Sequence, residues 1–182
     1  DQLRRLTDSL RDIHGRDRLV ISIDQEGGRV RRMKPPVWLD HPAAAAYAEL
    51  YEIGPISALE AARVGAELIG RELAEVGITV DYHPPLDLPQ PGAHDVIGDR
   101  ALGTGPLQVA ALGKAILEGL GRAGVVGCIK HMPGHGRSTT DTHKEMPTVT
   151  ASDGELERDL EPFRRLRHAP MGMTGHLLFT AW

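Results

Sequence analysis

The sequence predicts an α/β fold built on a parallel sheet. Three observations carry that expectation. Short β-branched runs alternate with stretches of helical period, glycines stand where helical stretches stop, and each short run ends in a polar segment. Leu3, Leu6, Leu10 and Ile13 recur at helical spacing and Gly15 follows, which predicts an amphipathic helix over residues 2–14. A strand over residues 19–23 comes next and runs into Asp24, Gln25, Glu26, Gly27 and Gly28, where paired glycines permit a sharp turn.

Residues 33–55 are rich in Pro and Ala without a clear period and read as a long loop holding one short helix. Leu59, Ala62, Ala66, Ile69 and Leu73 mark a helix over residues 57–76, with Ser57 and Glu60 as its capping box and Gly77 as its stop. Residues 78–82 form a second strand, leading to the loop His83, Pro84, Pro85, Leu86 and Asp87. The pattern repeats with a helix over 106–123 ending at Gly124, a strand over 125–130, a helix over 152–167 and a strand over 171–176. In such a rhythm each crossover helix returns the chain to the same end of the sheet, so the polar loops share one face, where α/β active sites collect. No G-x-G-x-x-G or Walker loop follows the first strand, which favours a (β/α) barrel over a nucleotide-binding sheet.

Composition narrows the partners. The chain has 182 residues, 41% apolar and 25% charged, as expected for one soluble domain. A formal charge of −4 and the lack of any Lys/Arg run speak against nucleic acid or an anionic membrane and for a small, largely neutral ligand. Cys128 is the single cysteine, lies in an apolar run and reads as a buried inert thiol in a reducing compartment, here the cytoplasm. No apolar stretch reaches the ~18 residues that span a bilayer, and the start, which is not Met, shows no secretory apolar region.

The densest chemistry lies in residues 130–143, with Lys130, His131, His135, Asp141 and His143 at the end of a buried strand and Gly134 and Gly136 freeing the backbone between them. Asp141 and His143 are two apart, so in extended chain both side chains point the same way, as a carboxylate orienting an imidazole requires. Such a pair serves as acid and base near neutral pH; the alternative is a polar surface loop with an incidental contact. His131, His135 and His143 also allow a zinc site, although no H-E-x-x-H helix or second cysteine supports it. Asp24 and Glu26 form a second pair, followed by Arg29, Arg31 and Arg32. They read either as two hydrolytic carboxylates or as hydroxyl acceptors in a structural ion pair with those arginines. Asp99 and Arg100 form a third candidate for gripping hydroxyls, although such a pair is more often a plain surface pair.

These segments resemble glycoside hydrolase family 3, in particular its β-N-acetylglucosaminidases that act on peptidoglycan fragments. Residues 23–30 are similar to the family's D-Q-E-G-G-R-V segment, and residues 130–143 to its K-H-F-P-G-H-G-x4-D-S-H loop. Ile97 to Arg100 and Met173 to His176 fall in the expected order. Met132, Arg137 and Thr142 depart from the usual Phe, acidic residue and Ser. The resemblance implies His143 as proton donor and acceptor with Asp141 as its dyad partner, and Asp24, Arg32, Arg100, Lys130 and His131 as ligands of the non-reducing N-acetylglucosamine. It also implies a strand before residue 2 and a nucleophilic Asp after a later strand. Residues 177–182 offer no candidate for that Asp.

The expectation is therefore a (β/α)8 TIM barrel present in part, about half of its strands, with residues 1–182 as one partial catalytic domain. The expected activity is hydrolysis of terminal non-reducing β-linked N-acetylglucosamine from muropeptide fragments, with retention and without a cofactor. The alternatives are a non-catalytic sugar-binding relative and a zinc-dependent hydrolase. Self-association through the edges of an incomplete barrel is a further expectation.

Overall fold

The computed structural model of the chain describes residues 1–16, 18–138 and 146–181. Helix α1 spans Gln2–His14, and Gly15 closes it in the left-handed region (φ 68°) with its N–H donating to Arg11 O at 2.8 Å. The residues expected in this helix are the ones that form it, yet its apolar stripe is not the face it buries. Leu6, Leu10 and Ile13 are 55%, 41% and 85% exposed. Thr7 is buried instead, and its hydroxyl donates to Val76 O at 2.6 Å, while Arg4 Nη1 donates to Glu75 O at 2.9 Å and Arg11 donates to Gly77 O. The helix docks by satisfying carbonyls that the end of another helix leaves without intrahelical partners.

Strand β1 is Ser22–Ile23, the tail of the expected run. Helix α2, Ala44–Ile53, is the short helix of the long loop, and α3 follows as Pro55–Glu75. The expected capping box at Ser57 and Glu60 does not form. Pro55 takes the first helical position, where its fixed φ suits a helix and its lack of an N–H costs nothing, so the helix starts earlier and Glu60 pairs with Arg63 instead. At the other end Gly77 (φ 80°) turns the chain, and Ile78 N–H reaches back to Leu73 O at 2.9 Å. Strand β2, Val80–Asp81, leads to a single 3₁₀ turn at Gly98–Arg100 and then to α4, Pro106–Arg122.

Strand β3, Val126–Met132, is the longest of the sheet, followed by β4 (Thr148–Val149), α5 (Asp153–Arg165), β5 (Met171–Thr174) and β6 (Leu178–Phe179). Here a capping box does form, between Ser152 and Glu155. β4 and β6 pair in parallel as a separate two-stranded sheet that the sequence pattern does not announce. β1, β2, β3 and β5 form one sheet in chain order, every neighbouring pair parallel. A doubly wound sheet reverses its strand order at a switch point, and no reversal occurs among the described residues. Unreversed order with helices between strands is the winding of a (β/α)8 barrel, of which the chain holds part.

The core lies between the sheet and α3 and α4, where Ile69, Leu73, Leu112, Ile116 and Leu120 meet Leu86, Val125 and Ile129. Cys128 is buried in the sheet, as its apolar setting implies. The two long helices approach closely because small residues face each other: a Cβ on Gly119 would stand 2.9 Å from Ala66 Cβ, and one on Gly70 would stand 2.7 Å from Ala123 Cβ. Among the described residues no helix is long and apolar enough to cross a membrane.

This seam sets two glycines of α4 apart. Gly121 has open space where a Cβ would go, so Gly121→Ala should stabilise the protein by about 0.5–1 kcal/mol through helix propensity. Gly119→Ala gains the same propensity but drives its methyl into α3, so it should destabilise by about 1–3 kcal/mol. Urea unfolding of both variants reads the opposite signs; equal effects would show that the helices part freely.

Candidate functional site

The loops at the carboxyl ends of β1, β2, β3 and β5 surround a cavity of about 450 Å³, lined by Asp24, Arg32, Arg100, Lys130, His131 and His135 among others. That size suits a small ligand. Each wall is positioned by backbone and buried polar contacts. After β1, Gln25 is 1% exposed; its N–H donates to Asp81 Oδ1 at 3.0 Å, and its side-chain oxygen accepts from Arg32 N and Met33 N at 2.8 and 3.1 Å. The 25–33 turn is thereby closed, with Arg32 at the rim. Gly28 (φ 52°) is required in this turn, since a Cβ there would stand 2.6 Å from Ala43 Cβ.

Lys130 comes from β3 and its side chain is 2% exposed. Its ammonium lies 2.6 Å from Glu26 Oε1 and 2.9 Å from Asp24 Oδ1. Arg100 grips the other side of Glu26 with both arms of the guanidinium, Nε to Oε2 at 2.9 Å and Nη2 to Oε1 at 2.8 Å, and donates to Val96 O at 3.1 Å. Arg32 Nη2 stands 3.6 Å from Asp24 Oδ2. Burial alone would raise the Glu26 carboxyl, but the Arg100 hydrogen bonds and the Lys130 and Arg100 charges outweigh it and hold it at about 2. Asp24 is the more exposed carboxylate, with a side chain 35% accessible against 2% for Glu26.

The second wall is built on Asp87, whose side chain is fully buried. Its Oδ1 accepts from His135 N at 2.7 Å and from His131 N at 3.3 Å, and its Oδ2 stands 2.7 Å from His131 Nδ1. Burial pushes the Asp87 carboxyl up, yet its attraction to the Nδ1 side of the His131 ring and the hydrogen bonds from His131 and His135 bring it below its ordinary value. The His131 and His135 rings meet edge to face with centroids 5.7 Å apart. Gly136 packs against the Leu88 backbone, and Gln90 N donates to Gly136 O at 3.1 Å, so the glycines do bring this loop onto neighbouring chain.

The structure thus brings together Asp24, Arg32, Arg100, Lys130 and His131, which come from loops far apart in sequence. Asp141 and His143 lie outside the described residues. The zinc reading needs His143 and so lies partly outside them too; among the described residues no group of three His, Cys, Asp or Glu side chains is arranged to hold a metal ion. Two expectations change. Asp99 does not join Arg100 at the cavity but pairs with Arg29 at 2.8 Å on the outside. Glu26 pairs with none of Arg29, Arg31 and Arg32, because Arg29 is held by Asp95 and Asp99, Arg31 by Asp40, and Arg32 by Asp24. Sequence reasoning places no role on Asp87. Its position at the end of the second strand, facing the polar loop of the third, is the only signal it offers.

The model of the glycosyl hydrolase family 3 N terminal domain matches residues 2–182. Beta-hexosaminidase LpqI of Mycobacterium tuberculosis is 37% identical over 161 residues, 87% of this chain and 40% of its own length. A beta-hexosaminidase of Alkalilimnicola ehrlichii is 37% identical over 184 residues, 100% of this chain and 52% of its own length. The crystal structure of NagZ from Neisseria gonorrhoeae in complex with N-trifluoroacetyl-D-glucosamine superposes with a TM-score of 0.91 at 34% identity, covering 99% of this chain and 53% of that one. The chain therefore spans about half the length of the relatives it matches.

Buried groups shape the acid limb of stability, His83 and Glu26 among them. Desolvation lowers His83 from its ordinary 6.5 to about 4. An unfolded chain takes up this proton as pH falls through 6.5 while the folded chain refuses it, so His83 by itself should withdraw about 3 kcal/mol of stability between pH 6.5 and 4. The Glu26 contribution is whole above pH 4.5 and is lost as pH falls to about 2. Urea midpoints measured across pH 7 to 4 should fall less steeply in His83→Leu than in the parent; identical slopes would show that His83 charges freely in the folded state.

Proposed function

We propose, for a chain that belongs to glycosyl hydrolase family 3 through its N-terminal domain, that residues 1–182 form part of the catalytic domain of a β-N-acetylglucosaminidase. The single observation that carries this reading is the cavity where Asp24, Arg32, Arg100, Lys130 and His131 converge. Hydroxyl groups leaving water need strong partners, and charged groups supply hydrogen bonds worth about 1.5–3 kcal/mol each. Asp24 accepts hydroxyl protons, while Arg32, Arg100 and Lys130 donate to hydroxyl and carbonyl oxygens. Because these charges pair with one another, the site suits a polar neutral ring rather than an ion. The relatives' names support the sugar class, as two are beta-hexosaminidases and the NagZ crystal holds an N-acylated glucosamine.

In this proposal the substrate is terminal non-reducing β-linked N-acetylglucosamine of peptidoglycan fragments, met in the cytoplasm. His143 protonates the leaving glycosidic oxygen, oriented by Asp141. A carboxylate attacks the anomeric carbon to form a glycosyl-enzyme, and His143 then takes a proton from the water that releases the sugar with net retention. By the family resemblance that carboxylate is an Asp following a later strand. Asp24, Arg32, Arg100, Lys130 and His131 hold the ring so that its anomeric carbon meets these groups in one orientation.

In the complete polypeptide, His143→Ala should slow hydrolysis of a chromogenic β-N-acetylglucosaminide at least about 100-fold with an unchanged circular dichroism spectrum. Near-normal turnover in that variant would refute the acid/base assignment. Binding of N-acetylglucosamine without any turnover by the unsubstituted protein would favour a non-catalytic sugar-binding role.

A further inference from the structure

We propose that Asp87 is a positioning residue of the site: it holds the proton of the His131 imidazole on Nδ1, so that Nε2 is left to accept a hydrogen bond from a ligand hydroxyl. The inference rests on the sugar reading above for its ligand, but on geometry for the tautomer. Asp87 is buried beneath the cavity and reaches three groups at once, His135 N and His131 N through Oδ1 and His131 Nδ1 through Oδ2. Both backbone groups are donors by necessity, so Oδ1 faces two N–H groups. Oδ2 is ionised and accepts only, so the nitrogen 2.7 Å away must carry a proton. A carboxylate with both oxygens so engaged has no freedom to turn, and the ring it holds has none either.

The chemistry of the cavity makes an acceptor at this point useful. Arg32, Arg100 and Lys130 bring only donors, and Asp24, among the described residues the one cavity carboxylate with substantial exposure, already receives Lys130 and Arg32. Each sugar hydroxyl carries a proton that needs an acceptor once water is excluded. The Nε2 lone pair of an Nδ1-protonated His131 adds one where donors otherwise dominate. Were the proton on Nε2, the ring would offer one more donor to a wall that already has several.

The same geometry supplies the test. In Asp87→Asn the two backbone N–H groups keep the amide oxygen where Oδ1 now stands, which turns the amide NH₂ toward His131 Nδ1. The substitution is isosteric, keeps the loop clamped and inverts the tautomer, the effect the Asp→Asn change has in serine-protease triads. Nitrogen-15 NMR of the imidazole, recorded on the ligand-free protein, should show protonated Nδ1 on His131 in the parent and bare Nδ1 with protonated Nε2 in Asp87→Asn. Titration with N-acetylglucosamine should then show binding about tenfold weaker in the variant, with its thermal midpoint little changed. A bare Nδ1 in the parent, or equal affinity in the two proteins, would overturn the proposal. A parent that shows protonated Nδ1 and no affinity for N-acetylglucosamine would sink the sugar reading and leave the tautomer assignment standing.

Discussion

The arrangement of the site depends on one buried carboxylate. Glu26 lies 2% exposed between Lys130, also 2% exposed, and Arg100. None of these charges would tolerate burial alone, since an uncompensated ion inside a protein costs several kcal/mol. Glu26 comes from the loop after β1, Arg100 from the 3₁₀ turn before α4, and Lys130 from β3 itself. Loops that share no sequence neighbourhood are therefore obliged to meet at fixed distances. An apolar contact in the same place would stabilise as well, but it is not directional, whereas the bidentate Arg100 grip fixes an angle as well as a distance.

The Asp87 clamp is joined to this network through the backbone. Leu86 N donates to Lys130 O at 2.6 Å and Lys130 N donates to Pro84 O at 3.2 Å, which extends the pairing of β2 and β3 past the regular ladder. Lys130 points its ammonium to Glu26 while the next residue, His131, gives its ring to Asp87. Two adjacent residues of one strand are thus gripped by carboxylates from the first and second loops. The register of a single strand sets the spacing between the ammonium and the imidazole.

Much of the fold is legible in the sequence because it follows from local rules. The 3.6-residue period places α1, α3, α4 and α5 within a few residues, and the glycines at 15, 77 and 124 stand at positive φ where the helices stop. What local rules cannot reach is partner choice. Ser57 and Glu60 have the residues of a capping box, but Pro55 starts the helix first. The stripe of Leu6, Leu10 and Ile13 predicts a helix correctly and its buried face wrongly, because the contacts that dock α1 are hydrogen bonds to carbonyls of a distant segment. Strands β4 and β6 are two residues each, too short for a period of two to show.

The site divides in the same way. Asp24, Arg32, Arg100, Lys130 and His131 are found by motif resemblance, and the structure gathers them around one cavity. Asp87 is not separable from an ordinary loop carboxylate until its burial is known, and Glu26, although paired with Asp24 in the sequence, does not reveal there which cations it holds. This difference has a physical basis. A residue that touches a ligand is constrained by the ligand's chemistry, which recurs wherever that ligand is bound. A residue that holds another residue in place is constrained by the packing around it, which only the folded chain defines. Charge supplies the link between the two: with Lys130 and Arg100 neutralised by Glu26 and Asp24 together, their N–H groups are held in fixed directions, and a neutral polar ligand can meet them without bringing a counter-charge of its own.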